Sequence, residues 1–183
     1  IATEQIKLQK LPNARALVSD ERQLIPAFGE SSFDMVYVYF GALNTVSDLG
    51  YSAEQIYKLL QPGGHAVLTF VNKWYIREML VQALKLNFKT AFARLRSEWG
   101  GYSIDRHLPS RCYSPGQIKS AFKAFSLLGR KGYSIHYPAW YNPHKVKNNP
   151  EKAEALWQKD QELQDSWWWS KGEYTLFVFR KDA

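Results

Sequence analysis

The sequence predicts an α/β fold built on a nucleotide-type sheet, and three segments carry that expectation. Residues 16–19 form a short apolar stretch ending in an acid, Asp20. Residues 35–40 (Met, Val, Tyr, Val, Tyr, Phe) run apolar and aromatic without polar alternation, as a strand buried on both faces does. Leu59 and Leu60 lead through Pro62, Gly63 and Gly64 into a second apolar run at 66–71. Helix, turn and strand signals therefore alternate, which is the pattern of α/β units.

Taken in order, 1–10 has helical spacing, and Pro12 ends it because proline lacks an amide and clashes with the preceding turn. Segment 16–19 is expected as a strand and 24–32, with Pro26, Gly29 and two serines, as a loop. Segment 35–40 is then the central strand. Ser52 with Gln55 three residues on reads as a capping box opening a helix that buries Ile56, Leu59 and Leu60. After the strand at 66–71, Ile76, Leu80, Leu84, Phe88, Phe92, Leu95 and Trp99 recur at three or four residues, so 74–98 is expected as one long amphipathic helix. Ser114 and Pro115 fit the cap and first position of another helix, with Ile118, Ala121, Phe122 and Phe125 on its buried face. A strand at 133–137, a helix at 151–164 and an alternating strand at 173–180 complete the reading.

At 183 residues the chain has the length of one domain and can bury a core. Its aromatic content of 15% is high enough to line a pocket for a flat or apolar ligand as well as to fill the core. A lone Cys112 cannot form an internal disulfide, and no apolar run approaches 18 residues. A reducing cytoplasm fits these features, and no transmembrane segment is expected. The net charge of +7 is concentrated between Lys73 and Arg96, where six basic residues face only Glu78. Such a stretch is either a solvated helix face or a nucleic-acid contact, and the solvated face is the ordinary case.

Several residues carry candidate chemistry. A carboxylate just past a strand end, as at Asp20, can accept from an exocyclic amine, or it can cap the next turn. Tyr39, Phe40, Gly41 and Asn44 follow the 35–40 strand, at the carboxyl edge where open α/β sheets bind ligands. Asn44 is placed either to face a ligand or to cap the following helix. Gly63 and Gly64 sit between helix and strand, the reverse of a phosphate cradle, so they mark a tight reversal. His65, His136 and His144 have no partners in sequence that suggest catalysis, and no His/Cys cluster has metal-ligand spacing. The three tryptophans at 167–169 either pack on a sheet edge or form a pocket wall.

In their order and spacing, Asp20, the segment opening at Phe33 and Asp34, Tyr39 to Asn44, and the Pro62, Gly63, Gly64 turn resemble class I S-adenosylmethionine-dependent methyltransferases. The stretch 111–133, with Tyr113, Ser114, Pro115 and then Gly129, is similar to a later part of that family. The resemblance implies a Rossmann-like methyltransferase sheet lacking its first strands, in one partial domain of 1–183 with a helical cap insertion at 73–110. No Gly-x-Gly segment precedes Asp20, so the glycine-loop half is expected to be absent and the chain N-terminally incomplete. It implies S-adenosylmethionine as cofactor, with Asp20 accepting from the adenine and Glu21 or Arg22 supplying a backbone amide. Tyr39, Phe40 and Gly41 would pass under the methionine part, and Asn44, Arg111 and Tyr113 would meet the acceptor. His107, in the loop returning from the insertion, would be the general base. The acceptor is expected to be a small, partly apolar molecule and nucleic acid is not expected; the alternative is a degenerate methyltransferase-fold module whose basic helix holds RNA or lies on an anionic membrane.

Overall fold

Strict alternation in the last strand organises the molecule. In the segment Tyr174–Arg180, Thr175, Phe177 and Phe179 are buried while Tyr174, Leu176 and Val178 are half-buried, so one face meets the core and the other a more open environment. The computed structural model describes residues 12–99, 109–139, 144 and 146–183. Its sheet has four strands, β1 (Phe33–Val38), β2 (Leu60–Val71), β3 (Ser126–Tyr133) and β4 (Tyr174–Arg180), in the order β1-β2-β4-β3. β1 and β2 are parallel, and β4 lies antiparallel to both β2 and β3.

Six α-helices accompany the strands among the described residues: α1 (Leu24–Phe28), α2 (Leu49–Leu59), α3 (Ile76–Leu84), α4 (Phe88–Ala91), α5 (Pro115–Ala121) and α6 (Pro150–Leu163). The core lies where α2 and α5 cover one sheet face. Ala66, Leu68 and Phe70 of β2 pair across register with Phe179, Phe177 and Thr175 of β4, and Ile56, Ile118, Phe122 and Phe125 close over them. The rings interlock: Phe122 stacks on Phe179 at 4.9 Å, while Phe70 meets Phe122, Phe177 and Tyr113 edge to face.

The Ser114 capping box and Pro115 at the first turn of α5 are present as expected, and so are the helix near 151–164 and the final strand. Six expectations change. No strand forms at 16–19, where Leu17 and Val18 are exposed, because a short extended segment is held only by ladder bonds to a neighbour and none is made. The 35–40 strand is accordingly not central: β1 is an edge strand with Met35 and Tyr37 exposed. Segment 24–32 contains α1, which tolerates Pro26 because amides of a first turn have no helical partner to lose. α2 is capped by Asp48, whose carboxylate accepts from the Gly50 and Tyr51 amides, and Ser52 instead donates to Glu21. The 74–98 stripe breaks into α3, α4 and a short 3-10 turn, because Leu86 takes a left-handed conformation (φ 59°) and Asn87 caps the next turn. Finally, β3 spans Ser126–Tyr133 and ends where the 133–137 strand was expected to begin, at left-handed Ser134.

Two glycines bind the last 3-10 turn (Trp167–Lys171) to the end of β3. A Cβ at Gly132 would lie 2.1 Å from the Trp169 carbonyl oxygen, and one at Gly172 would lie 2.3 Å from that of Tyr133. Backbone cannot move aside as a flexible side chain does, so Gly132→Ala is expected to lower stability by about 3 kcal/mol or more in urea unfolding. Gly116→Ala in α5, where the added methyl meets only ordinary contact, should be neutral or stabilise by up to ~1 kcal/mol.

Candidate active site

The chain leaves β1 through two consecutive left-handed residues, Phe40 (φ 57°) and Gly41 (φ 71°). Only glycine fits the second position: a Cβ there would meet Val71 Cγ2 at 2.7 Å and Asn44 Oδ1 at 2.9 Å. The turn drives the chain against the carboxyl end of β2, and the 3-10 turn Ala42–Asn44 places Asn44 beside that strand end. Asn44 is buried, and its amide is fully engaged. Nδ2 donates to the Val71 and Arg111 carbonyls (3.1 and 2.6 Å) and Oδ1 accepts from the Val71 amide (2.9 Å).

Asn72, one residue on, is a second buried amide with the same task. Its Nδ2 donates to the Ser170 and Gly172 carbonyls (2.7 and 2.9 Å), and its Oδ1 accepts from the Trp74 amide at 3.1 Å. The Asn72 carbonyl accepts from Arg94, whose guanidinium lies 3.5 Å from the Glu173 carboxylate and stacks over Tyr75 and Trp99. This buried cation thus ties the segment after α4 to the start of β4 through an ion pair and two ring faces.

Around this strand end lies a cleft of about 740 Å³. It is lined by Tyr39, Phe40 and Gly41 of the turn, by Thr69 and Val71 of β2 with Tyr174 and Leu176 of β4, and by Trp99 and Tyr133. Its lining is mainly apolar and aromatic. The Thr69 hydroxyl is a buried exception without a hydrogen-bond partner, the kind of group that a ligand or a water satisfies. Trp99 and Ser110, which also line the cleft, are joined by two hydrogen bonds: the Trp99 amide donates to the Ser110 carbonyl (2.7 Å) and the Ser110 hydroxyl to the Trp99 carbonyl (2.6 Å).

Of the residues singled out by sequence, Tyr39, Phe40, Gly41 and Asn44 meet at the cleft. Arg111 and Tyr113 are not among its lining residues: Arg111 Nε donates to the Ser97 carbonyl, and Tyr113 is buried against Phe70. Asp20, Glu21 and Arg22 are also outside the lining, with Asp20 accepting from the Arg22 amide at 2.7 Å and Glu21 accepting from Ser52 at 2.5 Å. Asn44 caps no helix, since Asp48 does so. His107 lies outside the described residues. Sequence reasoning missed Thr69, Ser110, Tyr133, Glu173 and Tyr174. Thr69 could have been found from its place near the carboxyl end of an apolar strand; the others come together only through β3–β4 pairing and the Arg94 contact.

Burial shifts Cys112, Tyr113 and His136 toward their neutral forms. Burial pushes the Cys112 thiol up to about 11, against the pull of nearby Arg94 and Lys73, and burial also raises Tyr113. His136 is lowered by burial and by Lys159. Among the described residues no group of three His, Cys, Asp or Glu could hold a metal ion. Cys112 is therefore expected to resist iodoacetamide at pH 8 in the folded protein and to react readily in denaturant, as mass spectrometry would show. Asn44→Ala removes partners from three buried backbone groups and is expected to cost about 3 kcal/mol or more in urea unfolding. Asn44→Asp, which cannot donate to either carbonyl, should be no milder.

No protein-family model and no curated protein sequence matches the chain. Solved structures do resemble it. The chain aligns over its whole length with phosphoethanolamine N-methyltransferase 2 of Haemonchus contortus, in complex with phosphomonomethylethanolamine and S-adenosylhomocysteine, at 15% identity and a TM-score of 0.58, covering 40% of that chain. It aligns with an S-adenosylmethionine-dependent methyltransferase of Methanosarcina mazei over 91% of its length, at 12% identity and a TM-score of 0.55, covering 66% of that chain. The cyclase SpnF matches over the full length at 15% identity and a TM-score of 0.56, with 61% of that chain covered. The 183 residues thus span less than about two thirds of these structures. The sheet, the helices on its core face and the turn after β1 together have the class I S-adenosylmethionine-dependent methyltransferase fold.

Proposed function

We propose that the chain forms part of an enzyme that transfers a methyl group from S-adenosylmethionine to a small, partly apolar acceptor held in the cleft between the Phe40–Gly41 turn and Tyr174. One observation carries this reading: the turn after β1 and the carboxyl end of β2 share a single mainly apolar cleft, at the sheet edge where this fold class receives ligands. The residues present suit the cofactor. Gly41 leaves the backbone bare, Tyr39 and Phe40 offer exposed ring faces, and Thr69 presents a buried hydroxyl that lacks a partner. Asp20, with its Glu21 and Arg22 neighbours, is proposed for the adenine end.

A sulfonium donor supplies an already activated methyl group, so the protein's contribution is alignment and exclusion of water. Tyr39, Phe40 and Gly41 would carry the donor side. Val71, Leu176 and the rings of Trp99, Tyr133 and Tyr174 would pack an apolar acceptor, and Thr69 would accept or donate one hydrogen bond to orient it. Asn44 would shape the acceptor wall while its amide holds β2, and Arg111 and Tyr113 would buttress that wall from behind. His107 stays the candidate base. It falls between Trp99 and Ser110 in sequence, and those two residues are bonded to each other on the cleft. The 73–110 segment would act as the cap, and a reducing cytoplasm would suit the buried Cys112 thiol.

Amide NMR of the 183-residue chain titrated with S-adenosylhomocysteine tests this. Because the chain spans only part of the compared structures, binding is expected to be weak, with a dissociation constant of roughly 0.1–1 mM. Shifts should cluster at 39–45 and 69–71. Asp20→Ala should remove the adenosine-dependent share of them, and Asp20→Asn, which keeps the cap on Arg22, should retain part. Shifts confined to other surfaces, or none up to the solubility limit, would overturn the reading.

A further inference from the structure

The cap segment carries an apolar face that the rest of the described chain leaves uncovered. Leu80, Leu84, Phe88 and Phe92 follow one another at steps of four through α3 and α4, and they are 59, 85, 55 and 46% exposed. Leu86, at the left-handed break between the two helices, is 77% exposed. Five large apolar side chains exposed within the one segment 80–92 are unusual on a protein surface, where such residues are normally scattered singly. Among the described residues nothing buries these five side chains, and none of the five lines the cleft.

The charges around this face are basic. Lys85 and Lys89 are exposed between the apolar residues, and Arg96 is exposed beyond them. Arg77 is half-buried and donates to the His136 carbonyl, and Arg94 is committed to Glu173. Glu78 is the one acid between Lys73 and Arg96, half-buried and bonded to Gln82, and Glu98 lies past the end of the face. An apolar stripe interleaved with lysines has the character of an interfacial helix on anionic lipid, where acyl chains take the leucines and headgroups the ammonium groups.

We propose that the outer face of 80–92 docks on an anionic membrane surface. A second copy of this chain fits less well, because a symmetric contact would bring Lys85 and Lys89 against their own counterparts. Single-stranded RNA fits less well because aliphatic Leu80, Leu84 and Leu86 offer no ring for a base to stack on. No helix among the described residues is long and apolar enough to cross a membrane, so the contact is peripheral. It stands on the exposed face alone and does not depend on the chemistry of the cleft.

Sedimentation of the 183-residue protein with vesicles tests the contact. Vesicles of phosphatidylcholine mixed with phosphatidylglycerol should bind at least about tenfold more tightly than phosphatidylcholine alone, and binding should weaken as salt rises. Leu84→Glu with Phe88→Glu should abolish it. Lys85→Glu with Lys89→Glu should remove the preference for anionic lipid, and both pairs are exposed, so circular dichroism should be unchanged. Failure of the parent to sediment with either vesicle overturns the proposal, as does sedimentation unaffected by both variants. So does a dimer in sedimentation velocity that Leu84→Glu dissolves, or capture of a single-stranded oligonucleotide without vesicle binding.

Discussion

Two buried asparagines at the carboxyl end of β2 hold the cleft end of the sheet together. Asn44 binds the Val71 amide and carbonyl and reaches on to Arg111, while Asn72 gathers Ser170, Gly172 and Trp74. Each amide converts loop carbonyls that would otherwise need water into satisfied partners inside the fold. Through them the turn after β1, the approach to α5, the start of the cap and the approach to β4 all refer to one strand end. A cleft assembled from four chain segments can keep its shape only if such a common reference exists.

Glycine and a buried ion pair extend that arrangement outward. Gly41 allows the turn to press on Val71, and Gly132 and Gly172 allow the 3-10 turn near Trp169 to lie directly on β3 backbone. Arg94 and Glu173 then couple the segment after α4 to β4 in a setting where neither charge reaches water, and the Tyr75 and Trp99 rings at the guanidinium supply part of what hydration would. The cleft is apolar and largely neutral as a result. That suits transfer of a methyl group from a charged donor, in which water is excluded and little acid–base chemistry is demanded of the protein. The similarity to the cyclase SpnF shows that one fold hosts more than one reaction, so the chemistry lies in the cleft and its residues.

Much of this was legible in the sequence where local signals and tertiary packing agree. The Ser114 cap, the strand at 174–180 and the apolar run at 66–71 each have one low-energy reading, and the structure adopts it. The turn at Tyr39 to Asn44 was placed at the carboxyl edge of the sheet from its position after an apolar strand alone, and it lines the cleft there. What sequence did not show was contingent on neighbours. Segment 16–19 has strand composition but no partner to pair with, and the 74–98 stripe has helical periodicity but is interrupted at Leu86, where spacing carries no mark of a left-handed residue. Glu173 and Tyr174 are distant in sequence from the turn, and only the β2–β4 register, with Thr69 opposite Leu176 and Val71 opposite Tyr174, brings them to it.

If the asparagine brackets are the common reference, the strand end cannot open without the whole fold opening. Native-state hydrogen exchange at the Val71, Asn72, Trp74 and Arg111 amides measures this directly, since each donates to Asn44, Asn72 or the adjoining Glu173 carbonyl. These amides should exchange with the same opening free energy and denaturant dependence as Phe177 and Phe179 in the middle of β4. Faster exchange at Val71 and Arg111, by a denaturant-independent local opening while β4 stays protected, would contradict the account and make the cleft wall a separable, loosely attached unit.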